Sequence, residues 1–350
     1  MRNIYCLLSL LFIFPLKIHS AIDPEEPLAK LWRPVRRSIA TLKSSFNEIK
    51  NLAYQIRPQD LSLFIDIRNN QIEVRYRNKR GNNVEFFAAI GKFNPIFVKA
   101  NSSSTNCAPT SAPARNKRQS QILKRRNINS LLLCGDGIFN VDSNRGCSLG
   151  FYASDKSDEN LNFIVTAGHC FDWTIENNPQ LFYSRPWNEN TGKRIGLMPK
   201  NPSNIYDYGL INITDNKGII TPSIRNTDHQ YSELIIEGGR VLSSIGVHIC
   251  KSGRTSHVNC AYVIGFGGIH VDTRSNILED FIVADNSGIF DCKGDSGGPT
   301  YSYLEDLQKV TLNGIISGSI DTLSHIVPLD IILKEAGLDL IKVNSLIVNR

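Results

Sequence analysis

Thr166-Ala-Gly-His169-Cys170 and Gly294-Asp-Ser296-Gly-Gly-Pro299 decide how this chain is read. The first follows an apolar run, Asn162-Phe-Ile-Val-Thr-Ala167, which predicts a buried strand ending in a loop. Loops held at strand ends on a rigid scaffold are where reactive side chains usually sit. The second stretch sets a serine among glycines, so the backbone can turn tightly and aim the Gly294 and Ser296 N–H groups at one point. A serine hydroxyl is a weak nucleophile at its free pKa and must hand its proton to a neighbouring imidazole as it attacks. The oxyanion then formed needs preorganised donors, and those two N–H groups are candidates.

In their order along the chain these motifs resemble those of chymotrypsin-fold serine proteases. In that family the order is His, Asp, Ser, so a carboxylate should lie between them. Tyr206-Asp207-Tyr-Gly-Leu-Ile211 supplies it, an Asp at the head of an apolar strand. Asp172, Glu176, Glu189, Asp215 and Asp228 lie in polar, loop-like surroundings and read as solvated charges. Serine esterases share the letters Gly-x-Ser-x-Gly, but their triad runs Ser, Asp, His, and the order here excludes them. The likeness narrows to the streptogrisin and alpha-lytic branch, secreted proteases made with an N-terminal propeptide. Cys147-Ser-Leu-Gly-Phe151, Cys250-Lys-Ser-Gly-Arg-Thr255 with Cys260, and Val327-Pro-Leu-Asp-Ile-Ile-Leu-Lys-Glu-Ala-Gly-Leu338 carry that similarity, which covers most of residues 134–340.

What the resemblance implies is specific. The fold is an all-β protease domain of two antiparallel six-stranded β-barrels with a C-terminal helix, read here over Val327–Leu340. The activity is peptide-bond hydrolysis through an acyl-enzyme. Ser296 is the nucleophile, His169 the base, Asp207 its orienting acid, and Gly294 and Ser296 the oxyanion donors. Asp295 lies outside the triad; in the branch this acid is buried and ion-paired, here with Lys251, or else with a freed mature N-terminus. A silent homologue that binds peptides in the same cleft is the rival reading. The presence of His169, Asp207 and Ser296 together speaks against it.

The 350 residues allow one large or two small domains, and 41% hydrophobic residues is enough for a substantial core. Arg2 followed by an apolar run over residues 4–16 and Ile18-His-Ser20 before Ala21 read as a signal peptide, residues 1–20. That run is too short to span a bilayer, so the mature form is expected to be extracellular and free of membrane. Residues 21–126 read as a propeptide. Leu28, Leu31, Trp32, Val35, Ile39, Leu42, Phe46, Ile49 and Leu52 recur at helical spacing. Alternation through Ile65, Ile67, Ile72, Val74 and Tyr76 about Asn69-Asn70 predicts a hairpin. This small α+β unit ends near Lys99. A linker rich in Asn, Ser, Thr, Pro and Ala follows, with Arg115-Asn-Lys-Arg118 and Lys124-Arg-Arg126 as sites for a kexin-like processing protease. The protease domain is then 127–350. In relatives such a propeptide assists folding and inhibits. The formal net charge of +6 includes these basic clusters, and no nucleic-acid module accompanies them.

Eight cysteines are present, and Cys6 and Cys107 would leave with signal and propeptide. The resemblance implies Cys147–Cys170 and Cys250–Cys260. The chain departs from the family in having no cysteine after Cys292, which leaves either a Cys134–Cys292 bridge or two free thiols. Asn101-Ser-Ser103 and Asn212-Ile-Thr214 are glycosylation sequons. Phe290, Asp291, Ser317, Gly318 and Ser319 fall where the family's primary specificity pocket lies. Asp291 would favour Arg or Lys if it faced the cavity. Phe290 stands where trypsin-like relatives carry their own Asp, so large apolar side chains are the expected substrates. His229, His248, His257, His270 and His325 lack metal-ligand spacing, and no cofactor motif is present.

Overall fold

The computed structural model describes residues 37–101, 131–176, 178–187, 192–200, 205–214, 220–227, 229–285 and 290–343. Its first element, α1 (Ile39–Ile56), starts at Ser38, whose side chain accepts the Thr41 N–H. Leu42, Phe46, Ile49 and Ala53 form its buried stripe, and left-handed Arg57 ends it. Strands β1 (Leu61–Asp66) and β2 (Gln71–Tyr76) form the expected hairpin, with Ile65 opposite Ile72. Asn70 takes a positive φ of 53° in the turn, a conformation asparagine tolerates well. Helix α2 (Asn82–Ile90) and β3 (Ile96–Lys99), parallel to β2, complete this N-terminal unit.

Beyond this unit the regular elements among the described residues are strands, apart from one short helix and a 3-10 turn at Gly168–Cys170. In order they are β4 (Gly137–Asn140), β5 (Arg145–Ser148), β6 (Phe151–Asp155), β7 (Asn162–Thr166), β8 (Gln180–Arg185), β9 (Arg194–Met198), β10 (Gly209–Ile213), β11 (Ser223–Arg225) and β12 (Glu233–Gly239). Then come β13 (His248–Gly253), β14 (His257–Val271), β15 (Ile277–Asp285), β16 (Pro299–Tyr303), β17 (Lys309–Ile320), β18 (Leu323–Pro328), helix α3 (Leu329–Glu335) and β19 (Leu338–Leu340). Six of these close on themselves as β13-β14-β15-β18-β17-β16, and every pair is antiparallel. This ring is the expected second barrel. Strands β11 and β12 lie outside it, β12 running parallel to β17.

The first sheet has eight strands in the order β19-β6-β7-β10-β9-β8-β4-β5, and among the described residues no ladder joins its ends. It is a half-barrel that β19 extends by pairing with β6, and with the closed ring it makes the expected double-barrel fold. One bound needs correction. The C-terminal helix covers only Leu329–Glu335 of the expected 327–340. Gly337, at φ 64°, stops it, and Leu338–Leu340 extends into that sheet. One core cluster spans both sheets, joining Phe151, Val165, Phe182 and Ile211 to Tyr301, Ile315 and Val327. Each such side chain contributes about 1.5–3 kcal/mol on burial, so the two sheets are firmly packed against each other.

The N-terminal unit is built onto the second barrel. Strand β1 pairs antiparallel with β14, with Leu61, Ser62 and Leu63 opposite Val271, His270 and Ile269. Leu42, Phe46, Ile49 and Leu63 share a core cluster with Ile269, Val271 and Ile277 of the barrel. Lys50 Nζ lies 2.8 Å from Glu279 Oε2, and Tyr54 donates to Glu279 Oε1 at 2.5 Å.

Cys147–Cys170 and Cys250–Cys260 are both bridged. The Cys134–Cys292 bridge is not present: Cys134 is a buried free thiol, and Cys292 is disulfide-bonded to a partner outside the described residues. The Cys134 N–H donates to Ser223 O and its carbonyl accepts from Arg225, which ties this segment to β11. The signal sequence, Cys107 and both multibasic sites lie outside the described residues, as does the rest of the Asn101 sequon. Asn212 is half-buried within β10.

Candidate active site

Strand β7 delivers the first functional side chain. Just beyond its end, Gly168–Cys170 makes a short helical turn pinned to β5 by the Cys147–Cys170 bridge. Arg145 Nη1 donates to the His169 carbonyl at 2.5 Å, fixing the turn from the other side. Strand β10 runs beside β7, with Gly209 opposite Thr166, which brings Asp207 under His169. The His169 N–H donates to Asp207 Oδ1 at 2.8 Å, and Nδ1 lies 2.7 Å from Oδ2. Nδ1–H is thereby held on the carboxylate, leaving the Nε2 lone pair free to accept a proton. Ser317 Oγ also donates to Oδ2, at 2.6 Å.

Burial alone would raise the Asp207 pKa, but His169, Ser317 and the His169 N–H outweigh it and hold the carboxyl below its usual range. For His169, burial would lower the pKa; the Asp207 charge and hydrogen bond outweigh that and raise it above 6.5. The imidazole is 44% exposed against 4% for Asp207, so it faces the cleft from a buried support.

Ser296 occupies the turn between β15 and β16. Its approach to the His169 loop depends on Gly297 (φ 85°), where a Cβ would sit 2.0 Å from Thr166 Oγ1 and 2.8 Å from Ala167 N. Ser148 clamps the turn twice, its N–H donating to Ser296 O and its hydroxyl to Gly294 O, each at 2.8 Å. Gly294, at φ 105°, turns its carbonyl towards that hydroxyl. Among the described residues the Gly294 and Ser296 N–H groups have no acceptor, the condition expected of oxyanion donors. Ser296 Oγ makes no hydrogen bond to His169 here. In ligand-free sites this contact is often long and tightens when substrate binds.

Asp295 is buried beneath the turn and paired with Lys251 at 2.8 Å, both side chains fully inaccessible. Lys251 Nζ also donates to Ser256 Oγ (2.6 Å) and the His257 carbonyl (2.9 Å), so all three of its protons are used. Asp295 further accepts from the N–H groups of Thr255, Ser256 and Cys292 and from the Ser256 hydroxyl. Burial pushes its pKa up; Lys251 and these donors prevail and hold it below the usual range.

The five specificity candidates separate. Phe290 is 1% exposed in a cluster with Ile249, Val263, Ile282 and Ile316, and so belongs to the barrel core. Ser317 belongs to the Asp207 network. Asp291 Oδ1 accepts from the Ser324 hydroxyl, Ser319 is a second hydroxyl partner, and Gly318 stands between Ser317 and Ser319 on β17. Ser324 and Ser148 carry no sequence pattern that singles them out; only the ladder and the turn bring them to the site. A cavity of about 740 Å³ adjoins His169, and Tyr54 of α1 and Arg57 just beyond it line the cavity together with Trp173, Tyr206 and Asp272.

An imidazole on a buried carboxylate, a serine at a glycine turn and two unpaired N–H groups, set between a closed barrel and a second sheet, define a chymotrypsin-fold serine hydrolase site. Residues 157–328 match the trypsin family. The chain carries a trypsin-family domain and is a serine endopeptidase. No curated protein matches it. Among solved structures, Thermobifida fusca protease A is similar at 20% identity, over 61% of this chain and 100% of that one, with a TM-score of 0.45. Nocardiopsis protease is similar at 19% identity over 60% and 99%, with a TM-score of 0.46, and Cellulomonas bogoriensis chymotrypsin at 18% over 60% and 98%, with 0.45.

Proposed function

We propose that this endopeptidase is secreted and made as a zymogen, with His169, Asp207 and Ser296 as its triad. The observation that carries the triad is the 2.7 Å contact between His169 Nδ1 and Asp207 Oδ2, reinforced by Ser317. Ser296 Oγ attacks the substrate carbonyl while His169 Nε2 takes its proton, and the imidazolium later delivers that proton to the leaving amine. Asp207 keeps the tautomer and stabilises the imidazolium. The Gly294 and Ser296 N–H groups receive the oxyanion, and the Lys251–Asp295 pair keeps them aimed. Water then releases the acyl group by the same proton relay in reverse.

Residues 1–20 are the signal peptide, 21–126 the propeptide with its linker, and 127–350 the protease domain, freed by a kexin-like protease at the multibasic sites. The β1–β14 ladder and the shared core support a folding role for residues 37–101, since β1 pairs with the end of β14 that extends past its ladder with β13 and the unit covers apolar side chains there. The position of Tyr54 and Arg57 in the cavity beside His169 supports an inhibitory one. The segment that would follow cleavage is already anchored: Tyr152 donates to Leu132 O at 2.9 Å, and Leu133 N–H to Asp136 Oδ2 at 2.8 Å. Protein and peptide substrates are the partners this site serves, with glycosylation at Asn101 and Asn212 on the secretory route.

The test is to express the precursor, react the secreted product with a fluorophosphonate probe, and include Ser296→Ala. A labelled, mature-sized band, absent in the variant and starting between residues 118 and 134, is the expected result. A correctly cleaved, folded product that does not label would refute the triad reading.

A further inference from the structure

We infer that Cys292 is cross-linked to Cys107, so that cleavage at the multibasic sites leaves a two-chain enzyme whose N-terminal unit stays covalently bound to the protease domain. The two-chain form rests on the cleavage proposed above; the cross-link does not. The chain has eight cysteines. Cys147–Cys170 and Cys250–Cys260 are paired, Cys134 is a free thiol, and Cys292 is disulfide-bonded. Its partner is therefore Cys6 or Cys107. Cys6 falls in the apolar run read as a signal peptide, which leaves the chain on export.

Packing points to Cys107 independently. Ala100, buried at the end of the N-terminal unit, donates its N–H to Tyr76 O and shares a core cluster with Phe64, Ile320 and Leu323. Arg75 of β2 reaches the same β17–β18 turn, its Nη1 3.1 Å from Thr322 Oγ1. Next to Leu323 is Ser324, whose hydroxyl hydrogen-bonds Asp291, the chain neighbour of Cys292. From Leu323 to Cys292 the way is thus two peptide steps and one hydrogen bond. Cys107 follows Ala100 by seven residues, which when extended cover up to about 23–25 Å. Cys292 lies within that reach.

The cross-link forms as the two thiols yield two protons and two electrons to a disulfide oxidoreductase of the secretory route, whose own disulfide becomes a dithiol. Cys107 precedes both Arg118 and Arg126, and Cys292 follows them. Hydrolysis after either arginine consumes one water and breaks one peptide bond, leaving the S–S bond intact. The β1–β14 ladder and the Lys50–Glu279 pair hold the unit as well. A tether makes their re-formation intramolecular, at an effective concentration on the order of millimolar, so dilution does not release the unit. Tyr54 and Arg57 then remain in the wall of the cavity beside His169, and cutting the linker does not clear them. The cross-link ends four residues before Ser296, on the segment whose Cys292 N–H donates to Asp295 Oδ2 at 2.9 Å.

For the test, the full precursor carrying Ser296→Ala is secreted, alkylated with iodoacetamide without reduction, and digested for peptide mapping. A peptide pair joined through Cys107 and Cys292, separating on reduction, is the expected result. Cys292 recovered alkylated, or joined to Cys6 or Cys134, overturns the proposal. The wild-type product is then run with and without reductant and blotted for the protease domain. It should migrate at the size of the precursor without reductant and at that of the protease domain with it. Cys107→Ser should migrate at the protease-domain size in both lanes. A wild-type band at that smaller size in both lanes overturns the two-chain form. Precursor size in both lanes means an uncut linker: the cleavage reading then falls, and the peptide map alone decides the cross-link.

Discussion

Replacing Lys251 with methionine removes the only cation that, among the described residues, is paired with buried Asp295, while keeping most of the side-chain volume. Both groups are fully inaccessible and 2.8 Å apart, so the variant leaves a carboxylate in the protein interior without its counter-charge. Breaking a buried pair in this way costs about 3–5 kcal/mol. Asp295 keeps four donors, from Thr255, Ser256 (backbone and hydroxyl) and Cys292, which favours the lower part of that range, about 3–4 kcal/mol. For a domain of this size that corresponds to a Tm fall of roughly 6–16 °C.

The pH dependence of that loss is diagnostic. In the native protein the Asp295 pKa is depressed, so its contribution to stability is present above the unfolded value, about 3.9, and is lost as pH falls through the folded value. In Lys251→Met burial is no longer outweighed and the folded pKa moves above 3.9. The sign then reverses, and the variant loses stability as pH rises from about 4 towards neutrality. Thermal scans from pH 4 to 8, in a Ser296→Ala background to prevent autolysis, read both effects. Adding Asp295→Asn should restore much of the loss, so the two substitutions are strongly non-additive. A Lys251→Met protein melting within about 1–2 °C of its parent, as a surface substitution would, refutes the claim that this pair holds the turn.

Other expectations follow from the same geometry. Because Asp207 raises the His169 pKa, the acid limb of kcat/KM should lie above pH 6.5, with activity rising as the imidazole loses its proton. Asp207→Asn should lower kcat by on the order of 10⁴ and shift that limb down, and an unmoved limb would contradict the assignment. Ser317→Ala removes one donor from Asp207 and should cost about tenfold in kcat with KM little changed, measured on one peptide substrate. Asp291 presents the opposite sign to Asp295. Its folded pKa, about 6, exceeds the unfolded 3.9, so the native state holds the extra proton and stability falls between about pH 4 and 6; Asp291→Asn should therefore raise Tm at pH 8 more than at pH 4. Buried Cys134, its thiol pKa pushed up by burial, should resist iodoacetamide until the chain unfolds, and non-reducing peptide maps of the uncleaved precursor should recover Cys134 as a free thiol and Cys292 in a disulfide. Leu63→Ala, in the core shared between the N-terminal unit and the barrel, should cost about 2–5 kcal/mol and cut the yield of secreted enzyme, seen by immunoblot and thermal melt.

The amino-acid sequence by itself determined the parts of this protein that depend on local chemistry. The glycines around Ser296, the apolar run ending at His169 and the aspartate heading β10 each declare a backbone shape and a side chain together, so the candidate triad was legible without the fold. The hairpin at Asn69-Asn70 and the helical stripe of α1 were legible for the same reason, because their periodicity is written in consecutive residues. The Lys251–Asp295 pair was reached only through family resemblance, since nothing local joins residues so far apart. Tertiary structure alone decided which groups meet across strands. Ser317 and Ser319 are two residues apart on one strand, yet one supports Asp207 and the other faces Asp291; only the strand pairing assigns each its neighbour. Phe290 and Asp291 are adjacent, yet the first packs into the barrel core and the second accepts from Ser324 of β18. Whether an aspartate is paired with a buried cation, as Asp295 is, or held by hydroxyls, as Asp291 is, depends on the groups packed against it, and that is a property of three dimensions.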